Sequence, residues 1–312
     1  MFKGKFWLWA IIIAVFFTAQ WLIESIPVWV HTDKVSVQVD MKSDNDLDAI
    51  LSNQKIKKFQ LSITNDNADI IISDSNEVIE GYERHDDYIY SPLVAYACAV
   101  SSYDDGFIAV PNTSNCYKID LYSVLLAIED GKQWSDLGIN EKVAKGTTTL
   151  YIPNEQSPYY DDVIDLFYLT LNKGESLTDE TMASLKNKVD NIVSKCHKIA
   201  DINQAVNEEY GNATESHKIL IGPEFLYTRG QNSSMGSGKN GRYTDTKQYR
   251  PIYFLDTVYV SANVYVKADE NASEVLNNFL GTMKNDDDFL LTTGWRTKNY
   301  SYSMSDVYYE TH

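Results

Sequence analysis

Short apolar runs separated by helix-like patterns make up the chain from residue 35 onward. Residues 35–40 and 58–64 alternate apolar and polar positions as half-buried strands do. Residues 46–52, between them, place their leucines and isoleucine on one helical face. Residues 68–73 form a β-branched run that stops at small polar residues, which is typical of a buried parallel strand opening into a loop. This order of strand, helix, strand and strand predicts half of an α/β lobe.

The middle and the end of the chain continue with helices and strands of ordinary length. An amphipathic helix is predicted from residue 119 to Gly131, after which Trp134 and Leu137 fold back on it. Two more helices are predicted at 161–171 and at 179–202, the second continuing toward residue 210. The remaining predicted elements are a polar insert at 77–87, strands at 92–100, 147–153, 218–221, 252–254 and 258–266, a mobile Gly- and Ser-rich surface loop at 228–250, and a helix at 273–283.

The N-terminus has the pattern of a membrane anchor. Lys3 and Lys5 precede an uncharged apolar run at 6–23, and Glu24 ends it. As a helix, this run would be about 27 Å long, which is close to the thickness of a hydrocarbon core. No clear small-x-small cleavage site follows it. The pattern favours an uncleaved signal anchor and tether at 1–34 in the cell membrane, with the rest of the chain extracellular; a cleaved signal peptide is the alternative.

The charge balance excludes one class of partner. The chain has 312 residues with 44 acidic against 27 basic side chains, a formal net charge of −17. Such a field repels phosphate backbones, so we expect no nucleic-acid partner. It leaves room for a local positive pocket.

Sequence patterns that would indicate catalysis or a cofactor are incomplete in this chain. Asp44, Asp46 and Asp48 have the spacing of a calcium loop, but Ala49 stands where that loop needs glycine, so they are predicted to cap a helix. Residues 236–241 lack the full phosphate-loop pattern. The histidines show no metal-ligand spacing, and no nucleophile motif is present. We therefore expect no metal, no cofactor and no enzyme activity.

Two of the three cysteines flank a predicted turn. Because the domain is predicted to be exported, a disulfide between Cys98 and Cys116 is one possibility, which would leave Cys196 unpaired. Three buried free thiols are the alternative.

Several weak motifs together resemble type II extracellular solute-binding proteins of bacterial transporters. They are the strand end at 68–75 (Ala-Asp-Ile-Ile-Ile-Ser-Asp-Ser), the crossing at 90–97 (Tyr-Ser-Pro-Leu-Val-Ala-Tyr-Ala), the Trp-Ser-Asp-Leu-Gly element at 134–138, and Tyr-Arg-Pro-Ile-Tyr-Phe at 249–254. The resemblance covers about residues 35–300. It implies a two-lobed α/β fold of the periplasmic-binding-protein kind, with two crossovers, near residues 92 and 255. Lobe 1 would comprise 35–91 and 255–312, and lobe 2 would comprise 92–254.

The resemblance also implies where a ligand would bind. In that family, the contacts come from loops at the carboxyl ends of strands and from helix N-termini, which face a cleft between the lobes. Carried over position by position, the ligand contacts are Ser43, Asp44, Ser73, Asp74, Ser75, Asn76, Ser91, Glu155, Gln156, Ser157, Glu224 and Tyr253. The loop at 41–46 lacks the Gly-Ser or Ser-Thr signature expected where a phosphate or molybdate-like anion docks.

Two functions are consistent with these observations. The first is a membrane-anchored extracellular solute-binding protein that captures a small ligand for transport or sensing, with an ABC permease or another membrane protein as its partner. The alternative is an envelope interaction protein without a transport role, built on a degenerate solute-binding fold.

Overall fold

The computed structural model describes most of the chain from residue 33 to residue 297. The described ranges are 33–52, 59–64, 66–98, 108–109, 117–141, 143–202, 204–205, 218–226, 249–254, 257–268 and 293–297. The predicted anchor and tether at 1–34 lies outside them up to residue 32, and the predicted loop at 228–250 lies outside them up to residue 248. The predicted helix at 273–283 and Cys116 lie wholly outside them. Within these ranges, no helix is both long and apolar enough to cross a membrane.

The described elements alternate between strands and helices. Their order is β1 (Asp33–Asp40), α1 (Leu47–Ser52), β2 (Phe59–Ile63), β3 (Ile70–Ser73), β4 (Tyr82–Cys98), β5 (Ile108–Ala109), β6 (Tyr117–Ile119), α2 (Leu121–Asp130), a 3-10 helix (Trp134–Leu137), β7 (Tyr151–Pro153), α3 (Tyr160–Leu171), α4 (Asp179–Ser194), β8 (His197–Ile199), β9 (Ile219–Pro223), β10 (Tyr249–Phe254), β11 (Tyr259–Lys267) and β12 (Arg296–Thr297).

All twelve strands belong to one mixed sheet with two halves. In the first half the order is β2-β1-β3-β11-β4, in which β1 is parallel to β2 and β3, and β11 is antiparallel to β3 and β4. In the second half, β7 lies parallel between β8 and β9, and β9 pairs antiparallel with β4. In each half, three parallel strands therefore lie side by side in the order second, first and third along the chain (β2-β1-β3 and β8-β7-β9), with an antiparallel strand next to the third. This arrangement fits a two-lobed type II periplasmic-binding-protein-like fold.

Strand β4 belongs to both halves. Its first part pairs with β11 as far as Pro92, and from Leu93 it pairs with β9 and then with β10. Proline has no N–H to donate to a ladder, so it is tolerated at the point where β4 changes partners. The Leu93 N–H still donates to the Val258 carbonyl at 2.9 Å. The change of partner takes place within one continuous strand.

The helices of the second half bury one face each against the sheet and one another. Asp120 caps the start of helix α2, because its side chain accepts a hydrogen bond from the Ser123 N–H at 3.2 Å. Gly131 caps the end of the helix in the left-handed region, at φ 69°. This confirms the predicted end of the helix at Gly131. The apolar faces of α2, α3 and α4 join the main core through Val124, Leu125, Ile128, Val163, Leu166, Phe167, Val189 and Ile192.

Several predicted boundaries were wrong. The segment predicted as a polar insert at 77–87 includes the start of β4, because antiparallel pairing with β11 satisfies a backbone whose side chains stay largely exposed. The helix predicted at 179–202 ends at Ser194, and His197–Ile199 pairs with β7 as an edge strand. Neither glycine nor proline marks that end, so tertiary pairing decided it. Only the last three residues of the strand predicted at 147–153 belong to β7.

The ends of other predicted segments also differ. The tether predicted up to residue 34 ends earlier, since Asp33 already begins β1. The surface loop predicted up to residue 250 ends earlier as well, since Tyr249 begins β10. The predicted disulfide stays a prediction, because Cys116 is not described. Cys196 is a free thiol, and its removal from water raises its pKa to about 12.

A short segment at 293–297 lies against both halves of the sheet. Arg296 of β12 pairs with Tyr90 of β4, and Gly294 has φ +76°. A Cβ atom at Gly294 would lie 2.5 Å from the Phe225 Cα and 2.6 Å from its carbonyl oxygen. Only glycine allows this approach between the segment and the residues that follow β9.

Gly294→Ala should lower the free energy of unfolding by about 3 kcal/mol or more, because it combines a left-handed backbone with a backbone clash. Gly131→Ala is the matched control: its φ is +69°, but nothing lies within 4 Å of the added Cβ. The control should cost only about 1 kcal/mol. Urea unfolding of both variants measures the difference, and equal losses would contradict the close approach.

Candidate functional site

Five segments from the two halves meet at one place. They are the loop after β1, the loop after β3, the residues 224–226 after β9, the start of α3, and the segment 293–297. We call this place the interlobe site. Parallel strands bring their carboxyl ends to one edge of a sheet, and here such edges from both halves face each other. It is where the family resemblance places the ligand.

Ser43 is held by contacts from both halves. Its N–H donates to Asp74 Oδ2 at 2.7 Å, and its carbonyl oxygen accepts a hydrogen bond from the hydroxyl of Tyr159. Its own hydroxyl is buried and has no hydrogen-bond partner. Most buried hydroxyls in native proteins have a partner, so this atom is an exception within the interlobe site.

Asp44 is a buried carboxylate that binds an indole. Trp295 Nε1 donates to Asp44 Oδ2 at 2.6 Å, and the indole stacks on Phe225 with ring centroids 4.7 Å apart and planes at 17°. The ring of Tyr159 packs edge-on against the ring of Phe225, with ring centroids 6.1 Å apart. Asp44 Oδ1 also accepts from the Asp46 N–H at 3.3 Å, which forms a turn just before α1 begins at Leu47 and is not a helix cap. The loop after β1 is thus fastened to aromatic groups from elsewhere in the chain.

Glu224 forms a buried ion pair. Arg296 donates from Nε to Glu224 Oε2 at 2.7 Å and from Nη2 to Oε1 at 2.8 Å, and the Tyr253 hydroxyl donates to Oε1. Burial alone would lower the pKa of Arg296, but the attraction and hydrogen bonds of Glu224 raise that pKa above its ordinary value. Both side chains are nearly inaccessible, so each of them depends on the other as its partner.

Two more predicted residues stabilise the same region. The Ser91 hydroxyl, on β4, accepts a hydrogen bond from the Phe225 N–H at 3.0 Å. The Ser73 hydroxyl, at the end of β3, accepts from the Ser75 N–H at 3.1 Å. Both serines are buried, and both orient backbone that leads into the interlobe site.

The residues after Asp74 turn toward β11. Asn263 Nδ2 donates to the Ser75 carbonyl at 2.9 Å and to Asn76 Oδ1 at 3.1 Å. The Tyr265 hydroxyl also donates to the Ser75 carbonyl at 2.8 Å. The structure therefore brings Asp74 to Ser43 but places Ser75 and Asn76 against the first half of the sheet.

The loop before α3 lies largely at the surface. Glu155 pairs with Lys198, and both side chains are exposed. The Gln156 N–H donates to Asn154 Oδ1 at 3.1 Å, and the Ser157 hydroxyl accepts from the Tyr159 N–H at 3.3 Å. Of this region, Tyr159 is the residue that reaches the interlobe site, and Ser157 supports its backbone.

Four contributors to the site were not predicted: Tyr159, Phe225, Trp295 and Arg296. In the sequence, Gly294 indicates a turn next to two large side chains, Trp295 and Arg296, which need partners when they are buried. Their position between the two halves depends on pairing across more than 70 residues.

The charges at the interlobe site are predominantly negative. Asp44, Asp74 and Glu224 contribute three carboxylates, against the single guanidinium of Arg296. Among the described residues, no group of three or more carboxylates, imidazoles or thiols could hold a metal ion. An added anion would meet repulsion here, whereas a neutral or cationic group would not.

Comparisons with known proteins give a likeness in structure only. No protein-family model matches the chain, and no curated protein matches it in sequence. A Bordetella parapertussis protein described as an extracellular solute-binding protein is 12% identical, with a TM-score of 0.49, over 87% of this chain and 88% of the other. The regulatory domain of MetR, a LysR family regulator from N. meningitidis, is 10% identical, with a TM-score of 0.32, over 80% and 92%. The OxyR2 regulatory domain from Vibrio vulnificus is 9% identical, with a TM-score of 0.35, over 81% and 94%.

These neighbours are domains of the type II periplasmic-binding-protein kind. At such identities and TM-scores, the likeness carries no conclusion about function.

Arg296→Met should lower the free energy of unfolding by about 3–5 kcal/mol, because it leaves the buried carboxylate of Glu224 without its cation. The double variant Arg296→Met with Glu224→Met removes both charges and should recover much of that loss. Urea unfolding of the two variants and the unchanged chain gives the comparison. A double variant that is no more stable than the single one would contradict the importance of charge pairing.

Proposed function

We propose that this chain is a membrane-anchored extracellular solute-binding protein, which holds a small ligand at the interlobe site for transport or sensing. The observation that carries the proposal is the buried Ser43 hydroxyl, which lacks a partner although four other segments converge on its loop. An unpartnered buried hydroxyl costs free energy that a ligand atom would recover. No comparable explanation follows from packing alone.

The contacts between the halves support closure around that place. The Tyr159 hydroxyl, from the second half, reaches the Ser43 carbonyl, and the indole of Trp295 bridges Asp44 and Phe225. Such contacts form only when the loops after β1 and β9 approach each other. In a hinged binding protein, they are the contacts that a ligand would favour by stabilising the closed state.

The surrounding charges narrow the class of ligand. With Asp44, Asp74 and Glu224 nearby, a neutral or cationic group would be preferred over phosphate or a molybdate-like anion. The absence of a Gly-Ser or Ser-Thr signature in the loop after β1 agrees with this preference. We infer a small polar ligand that donates or shares a hydrogen bond with the Ser43 hydroxyl.

Anchoring and partner remain parts of the proposal. The apolar run at 6–23 supports a signal anchor that places the binding domain outside the cell. A domain held at the membrane would deliver its ligand to an ABC permease. Alternatively, its closed state would be recognised by another membrane protein.

A separate observation supports a second candidate function. The buried carboxylates are already engaged by groups of the same chain: Asp44 by Trp295, and Glu224 by Arg296 and Tyr253. A site so fully self-paired would favour a permanently closed, non-transport protein that interacts with envelope proteins through its surface. Ligand binding and opening distinguish the two candidates.

The first test is ligand capture by the full-length chain. Native mass spectrometry identifies any co-purified small molecule, which is then used in titrations of the unchanged chain and of Ser43→Ala. The variant keeps both backbone contacts of Ser43, so we expect affinity to fall about fivefold without loss of stability. Ser184→Ala, on the exposed face of α4, is the matched control. The absence of a bound molecule, together with no thermal shift across neutral and cationic solutes, would leave the second candidate.

The second test concerns closure. Tyr159→Phe removes the hydroxyl that joins α3 to the loop after β1, so we expect a larger radius of gyration in solution scattering without added ligand. Tyr168→Phe, about two turns further along α3, should leave the radius unchanged. An unaltered radius for Tyr159→Phe would show that this hydrogen bond does not hold the halves together.

A further inference from the structure

We propose a second binding site, for a small organic anion, in the second half of the sheet. A cavity of about 430 Å³ is lined by Trp134, Lys145, Thr147, Thr148, Lys195 and His197, among others, and we call it the distal pocket. Its volume lies in the range of small-molecule sites, roughly 300–1,000 Å³. The proposal does not depend on ligand binding at the interlobe site.

The distal pocket lies at the opposite end of the sheet from the interlobe site. His197 begins β8 and Tyr151 begins β7, so the pocket is at the amino ends of these parallel strands. The loop that leads to Tyr159 follows the carboxyl end of β7. The ends of α2 and α4, at Gly131 and Lys195, complete the wall. The two sites are thus separated by the length of the strands.

The charge of the pocket is opposite to that of the whole chain. Lys145 and Lys195 line it and supply two positive charges, and no carboxylate lines it among the described residues. The acidic side chains at the end of α2 have cations of their own: Glu129 pairs with Lys188 at 3.0 Å, and Asp130 pairs with Lys132 at 3.1 Å. In a chain with a net charge of −17, this is a local concentration of positive charge.

The carbonyl end of α2 does not cancel this charge. The N–H groups of Gly131 and Lys132 donate to the last turn of the helix, to Ile128 at 3.2 Å and to Ala127 at 2.9 Å. Lys195 Nζ donates to the Glu129 carbonyl at 2.7 Å. This contact satisfies a terminal carbonyl and also fixes the ammonium group at the rim of the pocket.

The hydroxyl of Thr148 is an independent sign of a ligand. Thr148 is 2% exposed, and its hydroxyl has no hydrogen-bond partner. The neighbouring hydroxyls are engaged, since Thr149 donates to the Lys195 carbonyl at 2.9 Å and Thr147 accepts from Gln133 at 3.3 Å. Because Thr148 lines the pocket, rotation of its side chain would present this unpartnered hydroxyl to an occupant.

These groups select an acceptor-rich ligand. Ammonium groups only donate hydrogen bonds, and a threonine hydroxyl can donate as well. Carboxylate and phosphate oxygens match such donors, and charge-assisted hydrogen bonds are stronger than neutral ones. Tyr151 and His197, stacked with ring centroids 4.6 Å apart, add a flat wall against which the carbon skeleton of an organic anion would pack.

The test is calorimetric titration of the full-length chain with succinate and, separately, with inorganic phosphate. Saturable binding of either probe below about 10 mM is expected, and the stronger of the two identifies the anionic group. Lys195→Met and Lys145→Met should each weaken binding about tenfold. Lys186→Met removes an exposed charge of α4 that does not line the pocket, and it should leave affinity unchanged.

Thr148→Val separates a specific site from general attraction to positive charge. It removes the unpartnered hydroxyl but keeps the shape of the side chain, so affinity should fall about threefold to tenfold while thermal stability stays equal or rises. No saturable binding of either probe, or equal affinity in the three lysine variants, would overturn the proposal. These titrations of the distal pocket use no ligand of the interlobe site, so the two proposals fail or succeed separately.

Discussion

The structure depends on the backbone hydrogen bonds that β4 gives to two half-sheets. Its first part is paired with β11 and its second part with β9 and β10. Since one strand serves both halves, their strand ends are brought to face each other without a separate connecting element. Pro92 marks the change of partner, and Ser91 beside it anchors the Phe225 backbone. The point where β4 changes partner and the wall of the interlobe site are therefore formed by neighbouring residues.

The segment 293–297 holds the facing ends of the two half-sheets together. Its glycine allows close approach to Phe225, its indole reaches Asp44, and its guanidinium neutralises Glu224. Each contact removes polar groups from water, so each is favourable only while the others hold the geometry. Ser43 is the exception within this network, because its hydroxyl remains unsatisfied. Under the proposed function, that contrast would connect the stability of the closed form to the binding of a ligand.

The two candidate sites also differ in charge in a way that net charge cannot reveal. The interlobe site gathers three carboxylates around one arginine, whereas the distal pocket gathers lysines while nearby carboxylates are paired elsewhere. A chain of strongly negative net charge can thus present surfaces suited to opposite kinds of ligand. Local pairing, and not composition, decides which charges face a site.

Hydrophobic periodicity in the sequence was enough to determine most strands and helices, including the strand at 70–73 and the helix that ends at Gly131, because these depend on neighbours within a few residues. The family resemblance, carried over position by position, located the serines and carboxylates whose loops meet at the interlobe site. The strand character of 82–87 and 197–199 came from pairing with β11 and β7, which local propensity does not contain. Likewise, only the tertiary structure placed Tyr159, Trp295 and Arg296 between the halves, since their partners lie far away along the chain.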